Sequence, residues 1–199
     1  MPREINNPAL ILETLDRFLK KPIELVLYGR SAIALGFKNP GHDHRKTLDV
    51  DAILPSSQIE QLRNNEDFWE AQEKTNAELQ RDKLYFTHIF REEDVIIQPD
   101  WESRKVRIPS DHKHLVLYRP ATVDLILTKM MRDDEQDLAD IKFLIEQEPS
   151  VIQQLPAAMA RAGVPAVAEI QEIFEKVKPK VLRLMQLKRP EVPSSPEID

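Results

Sequence analysis

The chain of 199 residues is long enough for one well-packed domain, or for a core plus a smaller helical unit, with a single active site as the default. Its 41% hydrophobic and 31% charged residues are ordinary for a globular protein, and no apolar run approaches the roughly 20 residues that span a bilayer. The absence of cysteine excludes disulfides, thiol catalysis and cysteine-ligated zinc, and the net charge of −6 argues against a broad nucleic-acid-binding face while permitting a local basic rim.

Met1-Pro2-Arg3-Glu4 lacks the apolar stretch of a signal peptide, so a cytoplasmic location without a membrane partner is expected. Asn7-Pro8 followed by Leu10, Ile11, Leu12, Leu15, Phe18 and Leu19 predicts a first helix with Asn7 as N-cap and Pro8 at its first position. Ile23 to Tyr28 reads as a buried strand, and Gly29 breaks it before a second helix from Ser31 to about Phe37. Residues 38–46 are polar and turn-rich, and a strand resumes from Thr47 to Leu54.

Ser56-Ser57 caps a polar helical region to about Arg81. Leu84–Phe90 and Asp94–Gln98 read as two strands joined by Arg91-Glu92-Glu93, and Lys105–Ile108 adds a third short one. Arg119-Pro120-Ala121-Thr122 opens a helix through about Met131, Asp134 another through about Gln147, and Pro149 and Pro165 sit where further helices start. From Pro190 the sequence has no periodicity and too little apolar content to pack, so residues 190–199 are expected to be a disordered tail.

Asp49 and Asp51 stand at i and i+2 on a strand and therefore project from one face, a spacing that suits a hard divalent cation bound through oxygen. Left without a counter-charge, such a pair repels itself, so a metal or a basic neighbour should accompany it. Taken alone, the pair is more often a strand end open to solvent. The glycine turn before it presents backbone N–H groups and the positive end of a helix dipole, which suit a phosphate.

Leu27-Tyr28-Gly29-Arg30-Ser31-Ala32, then Arg45-x-Thr47-x-Asp49-x-Asp51, then Lys129-x-x-Arg132 with Asp137-x-x-Asp140, resemble the motifs of polymerase-β-like nucleotidyltransferases. The branch they look most similar to includes the abortive-infection type IV toxin nucleotidyltransferases. The three blocks cover roughly residues 23–147.

The resemblance implies an α+β fold: a small mixed sheet with packed helices over residues 1–118, and a helical C-terminal unit over 119–189. It implies that Asp49 and Asp51 bind Mg2+ or Mn2+ and that a third carboxylate on a later strand completes the site, with Asp100 the first candidate and Asp94 the second. Gly29, Arg30 and Ser31 would hold the triphosphate, with Arg45 and Thr47 in the same motif. Arg30 occupies the place of the family's usual second glycine. Lys129 would point from an exposed helix position toward the glycine turn, fixed by Asp137, with Arg132 beside it. The implied reaction moves a nucleotide from a nucleoside triphosphate to an RNA or protein acceptor, and the toxin branch adds a cognate antitoxin protein as a partner.

The competing reading is a non-catalytic module that binds nucleotide or a partner through the same fold. A weaker one is a phosphohydrolase using His42, Asp43 and His44. His42-x-His44 and His112-x-His114 lack a third spaced ligand and read as loop histidines. Trp101 and Tyr118 read as core or rim packing rather than stacking partners for a base, and Val164–Leu187 as an amphipathic stretch that covers the core.

Overall fold

Alternation in the segments around Val26 and Val50 builds the centre of the molecule, because strand residues two apart share a face. In a computed structural model, which describes residues 5–186, β1 (Ile23–Tyr28) and β2 (Asp49–Leu54) pair antiparallel, with Tyr28 opposite Asp51. β3 (Tyr85–Arg91) lies parallel to β2, β5 (Leu115–Arg119) parallel to β1, and β4 (Val106–Ile108) antiparallel to β5, giving the order β3-β2-β1-β5-β4. The fold is α+β, a five-stranded mixed sheet with packed helices and a helical C-terminal region.

One sheet face carries Leu25, Leu27, Val50, Ala52, Phe86 and Leu117 into the large core that α1 (Asn7–Phe18) and α5 (Glu66–Leu79) cover. The other carries Val26 and Ile53, packed under Val95, Ile97 and Trp101, and it is this face that ends in Tyr28, Asp49 and Asp51. α2 (Gly29–Gly36) and the short α3 (His42–Arg45) lie between the two aspartates and β1 in sequence. Between β2 and β3, α4 (Ile59–Arg63) ends before Asn65, whose side chain accepts from Phe68 N and starts α5 afresh, so the polar stretch 56–81 is not one helix.

In the C-terminal half, α6 (Thr122–Thr128) is buried on every side and runs into a 3-10 turn, Lys129–Met131. α7 (Glu135–Gln147), α8 (Val151–Arg161) and α9 (Ala168–Gln186) follow. The same core cluster runs from Ile11 to Met185, so helices and sheet share one apolar interior. Among the described residues no helix is long and apolar enough to cross a membrane. The expected tail at 190–199 lies outside the described residues.

Four expectations need correction. Asn6, not Asn7, caps α1, its side chain accepting from Ala9 N at 3.2 Å. Residues 38–46 contain the helical turn α3. Asp94–Gln98 is not a strand: Glu92–Asp94 forms a 3-10 turn, and only Ile97 makes a bridge, to Gly163, while Val95, Ile96 and Ile97 are buried. The apolar run there serves burial against Gly163 and the neighbouring sheet face, and Pro99 cannot donate to a ladder. Finally β5, beside β1 at the sheet centre, stands where no strand was expected.

Candidate functional site

β2 delivers Asp49 and Asp51 to the mouth of a cleft of about 510 Å³, which Tyr28, Gly29, Arg30, Ser31 and Thr47 also line. Thr47 Oγ1 donates to Asp49 Oδ1 at 2.8 Å. Asp51 Oδ1 accepts from Thr87 Oγ1 at 2.6 Å and from His88 N at 3.2 Å. Each carboxylate is thus oriented through one oxygen, and among the described residues the second oxygen of each takes no hydrogen bond.

The donors to Asp51 come from an irregularity in β3. The register passes from Val50 opposite Phe86 to Ala52 opposite Ile89, so Thr87 and His88 together face the single residue Asp51. Such a bulge re-aims side chains and is frequent beside active sites. Neither aspartate is ion-paired with Lys or Arg among the described residues; the nearest basic group is His88 Nδ1, 3.5 Å from Asp51 Oδ1. Two half-buried carboxylates on one strand face, each with an oxygen that takes no hydrogen bond and neither paired with Lys or Arg among the described residues, fit a hard divalent cation.

Across the cleft, α2 begins without a side-chain cap, leaving its first-turn N–H groups open to a ligand. Gly29 has φ +62°, and a Cβ there would meet nothing within 4 Å, so the space above the turn is open. Ser31, almost fully buried, donates through Oγ to the Tyr28 carbonyl at 2.8 Å and braces the turn. Tyr28 itself stays protonated: burial raises its phenol, as do the charges of Asp137 and Asp51.

The third wall comes from the C-terminal helices and is built of ion pairs. Lys129 is 5% exposed, not at an exposed position, because the turn that holds it follows the fully buried α6. Its Nζ donates to Asp137 Oδ1 at 2.9 Å and to Asp140 Oδ2 at 2.7 Å, so its charge is already shared between two carboxylates. Arg132 closes on Asp137 through Nε at 2.8 Å and Nη2 at 3.1 Å, with most of its side chain exposed. Arg30 Nε lies 3.5 Å from Asp140 Oδ2 and has no hydrogen-bond partner among the described residues, while the residue lines both this cleft and an adjoining one of about 750 Å³. Burial opposes ionisation of Asp140, yet the hydrogen bond from His44 and the charges of Lys129 and Arg30 hold its carboxyl at about 2.

Other expected residues are not brought into the cleft. Asp100 is exposed and bound by Arg104 and by Arg161 at 3.2 Å, while Asp94 is gripped by Arg91 at 2.8 Å. Asp100 follows Pro99 in a 3-10 region rather than a strand, which removes the alternation that would have aimed it at β2. Among the described residues no group of three or more His, Asp and Glu stands close enough together to hold a metal. Arg45 does not line the cleft; its guanidinium donates to the Pro40 carbonyl at 3.1 Å. Trp101 is fully buried, with Nε1 on Glu92 at 2.7 Å, and Tyr118 lies under Lys105 Nζ.

His42 and Asp43 are largely exposed while His44 turns inward to Asp140, so the three do not form one site. Three features escaped the reading of the sequence: the Thr87–His88 bulge, the buried His44, and Glu169, Ile170 and Ile173 of α9, which line the cleft with Phe90 and Met131. The amphipathic pattern of α9 was visible; which part of its face reaches the cleft depends on how the helix docks.

A mixed sheet that sets two strand carboxylates opposite a glycine turn at a helix N-terminus has the architecture of a nucleotidyltransferase core. The chain belongs to a family described as nucleotidyltransferase of unknown function (DUF6036), which it matches over residues 10–155. No curated protein and no solved structure matches the chain.

Proposed function

We propose that the protein transfers a nucleotide from a nucleoside triphosphate to a hydroxyl of an RNA or protein acceptor, with release of pyrophosphate. The observation that carries this reading is the cleft itself, where the unshared oxygens of Asp49 and Asp51 and the uncapped N-terminus of α2 line one space. Asp49 and Asp51 would hold Mg2+ or Mn2+, which when bound would neutralise phosphate charge and favour departure of pyrophosphate. The open amides at Gly29–Ser31 receive phosphate oxygens. Arg30 and Arg132 supply the positive charge at the rim, Arg132 as a guanidinium whose ionisation Asp137 reinforces.

Lys129 serves this arrangement mainly by locking Asp137 and Asp140, which in turn hold the two arginines. Apolar walls from Tyr28, Phe90, Met131, Ile170 and Ile173 offer a surface for the nucleoside. Likeness of the motif blocks to the toxin branch supports a defence setting with a cognate antitoxin protein and a cytoplasmic site of action.

Incubating the protein with labelled triphosphates, Mg2+ and total RNA or protein tests the proposal. Label should enter one acceptor pool and vanish in Asp49→Asn/Asp51→Asn. The positions of Asp100 and Asp94, each held by arginine away from the pair, favour a second reading in which the cleft binds nucleotide without turning it over. Tight triphosphate binding with no transfer to any pool would establish that reading instead.

A further inference from the structure

His44 has no part in the nucleotide reading, yet it is 7% exposed in a helix of only four residues. A single helical turn has negligible stability of its own, so tertiary contacts hold it there. Its ring packs on Phe143 with centroids 5.1 Å apart, and Nε2 lies 2.9 Å from Asp140 Oδ1. Asp140 is a carboxylate acceptor, so Nε2 donates this hydrogen bond, while Nδ1 is buried without a partner among the described residues.

The two oxygens of Asp140 are divided between tasks. Oδ1 takes the His44 hydrogen bond, while Oδ2 faces Lys129 at 2.7 Å and Arg30 at 3.5 Å. The terminal torsion of an aspartate is broad, so a carboxylate held at one oxygen can swing. Freed at Oδ1, Asp140 would turn wholly to Lys129, and Arg30, which among the described residues is attached by the longer contact alone, would lose its anchor.

We infer that His44 is a positioning residue for triphosphate binding, acting through Asp140 to hold Arg30 at the mouth of the cleft. The inference rests on the nucleotide reading above and goes beyond it by assigning α3 a task. It also explains why the chain between the glycine turn and the Asp-x-Asp strand folds inward onto α7.

Calorimetry with Mg2+ and inorganic tripolyphosphate, a probe free of base preference, tests it on the full chain. His44→Ala should weaken binding about tenfold, the scale of one charge-assisted contact, while His44→Gln, whose amide N–H falls near Nε2, restores most of the affinity. In an Arg30→Met background His44→Ala should have no further effect, since both changes remove one pathway. Should the alanine variant not fold, His44→Asn against His44→Gln reads the same contrast, because the shorter amide falls one methylene short of Asp140. Unchanged binding in His44→Ala, a loss that glutamine does not rescue, or a loss that persists without Arg30 overturns the assignment. Failure of the wild type to bind tripolyphosphate overturns the nucleotide reading and this step with it.

Discussion

At the scale of single residues, Gly29 and the aspartate pair set the chemistry and differ in how they fail. Gly29 sits at φ +62° with open space above it, so alanine there meets no neighbour but pays about 1 kcal/mol for a left-handed backbone. Gly29→Ala should lower the melting temperature by a few degrees and weaken triphosphate binding as the turn relaxes; an unchanged melt with unchanged binding would show that the turn tolerates a side chain. Asp49→Asn/Asp51→Asn should abolish magnesium-dependent triphosphate binding in calorimetry, whereas equal wild-type affinity with and without Mg2+ would remove the metal from the account. The pair was legible in the sequence because a strand has a period of two residues and places i and i+2 on one face whatever surrounds them. Asp100 was not, since its direction depends on Arg161, 61 residues away, and on a 3-10 turn after Pro99 that follows no such period.

At the scale of elements, the irregular ones decide the site. β1, α2 and β2 follow local signals, and their predicted spans hold to within a few residues. β5 escaped because Leu115–Arg119 is short and flanked by His114 and Pro120, and its pairing with β1 and β4 is what reveals it. The β3 bulge was equally hidden, since one extra residue leaves the strand pattern intact while shifting the partner register. Its use is local: Thr87 Oγ1 and His88 N both fix Asp51, and Thr87 is exposed. Thr87→Val should therefore reduce Mg2+-dependent binding several-fold while changing the unfolding free energy from urea titration by less than about 0.5 kcal/mol, the usual range for a surface change. A large loss of stability would mean that the bulge is a structural joint rather than a device for aiming Asp51.

At the scale of the whole molecule, the ionic network ties the sheet region to the C-terminal helices, with Arg30 and His44 on one side and Lys129, Arg132, Asp137 and Asp140 on the other. Asp140 stands at the crossing and is 1% exposed, so its protonation should register in global stability. Its carboxyl is depressed from the ordinary 3.8 to about 2 in the folded state, the favourable interactions outweighing burial. A group depressed on folding contributes stability that is fully present above its unfolded value and fades as pH falls through the folded one. The contribution of Asp140 is therefore complete above about pH 5, falls from about pH 4, and is gone below about pH 2, with a size of about 2 kcal/mol. Urea unfolding of wild type and Asp140→Asn at steps across this range should show a stability gap that narrows by about that amount toward the acid end. Asparagine cannot titrate, and Asp137, which Lys129 also holds at 2.9 Å in the wild-type chain, is present in both proteins, so the narrowing reports the charge of Asp140. If the gap stayed constant down to about pH 2, the carboxylate would contribute through shape and hydrogen bonding alone. Sheet and helices would then be held together by their shared apolar core rather than by this charge.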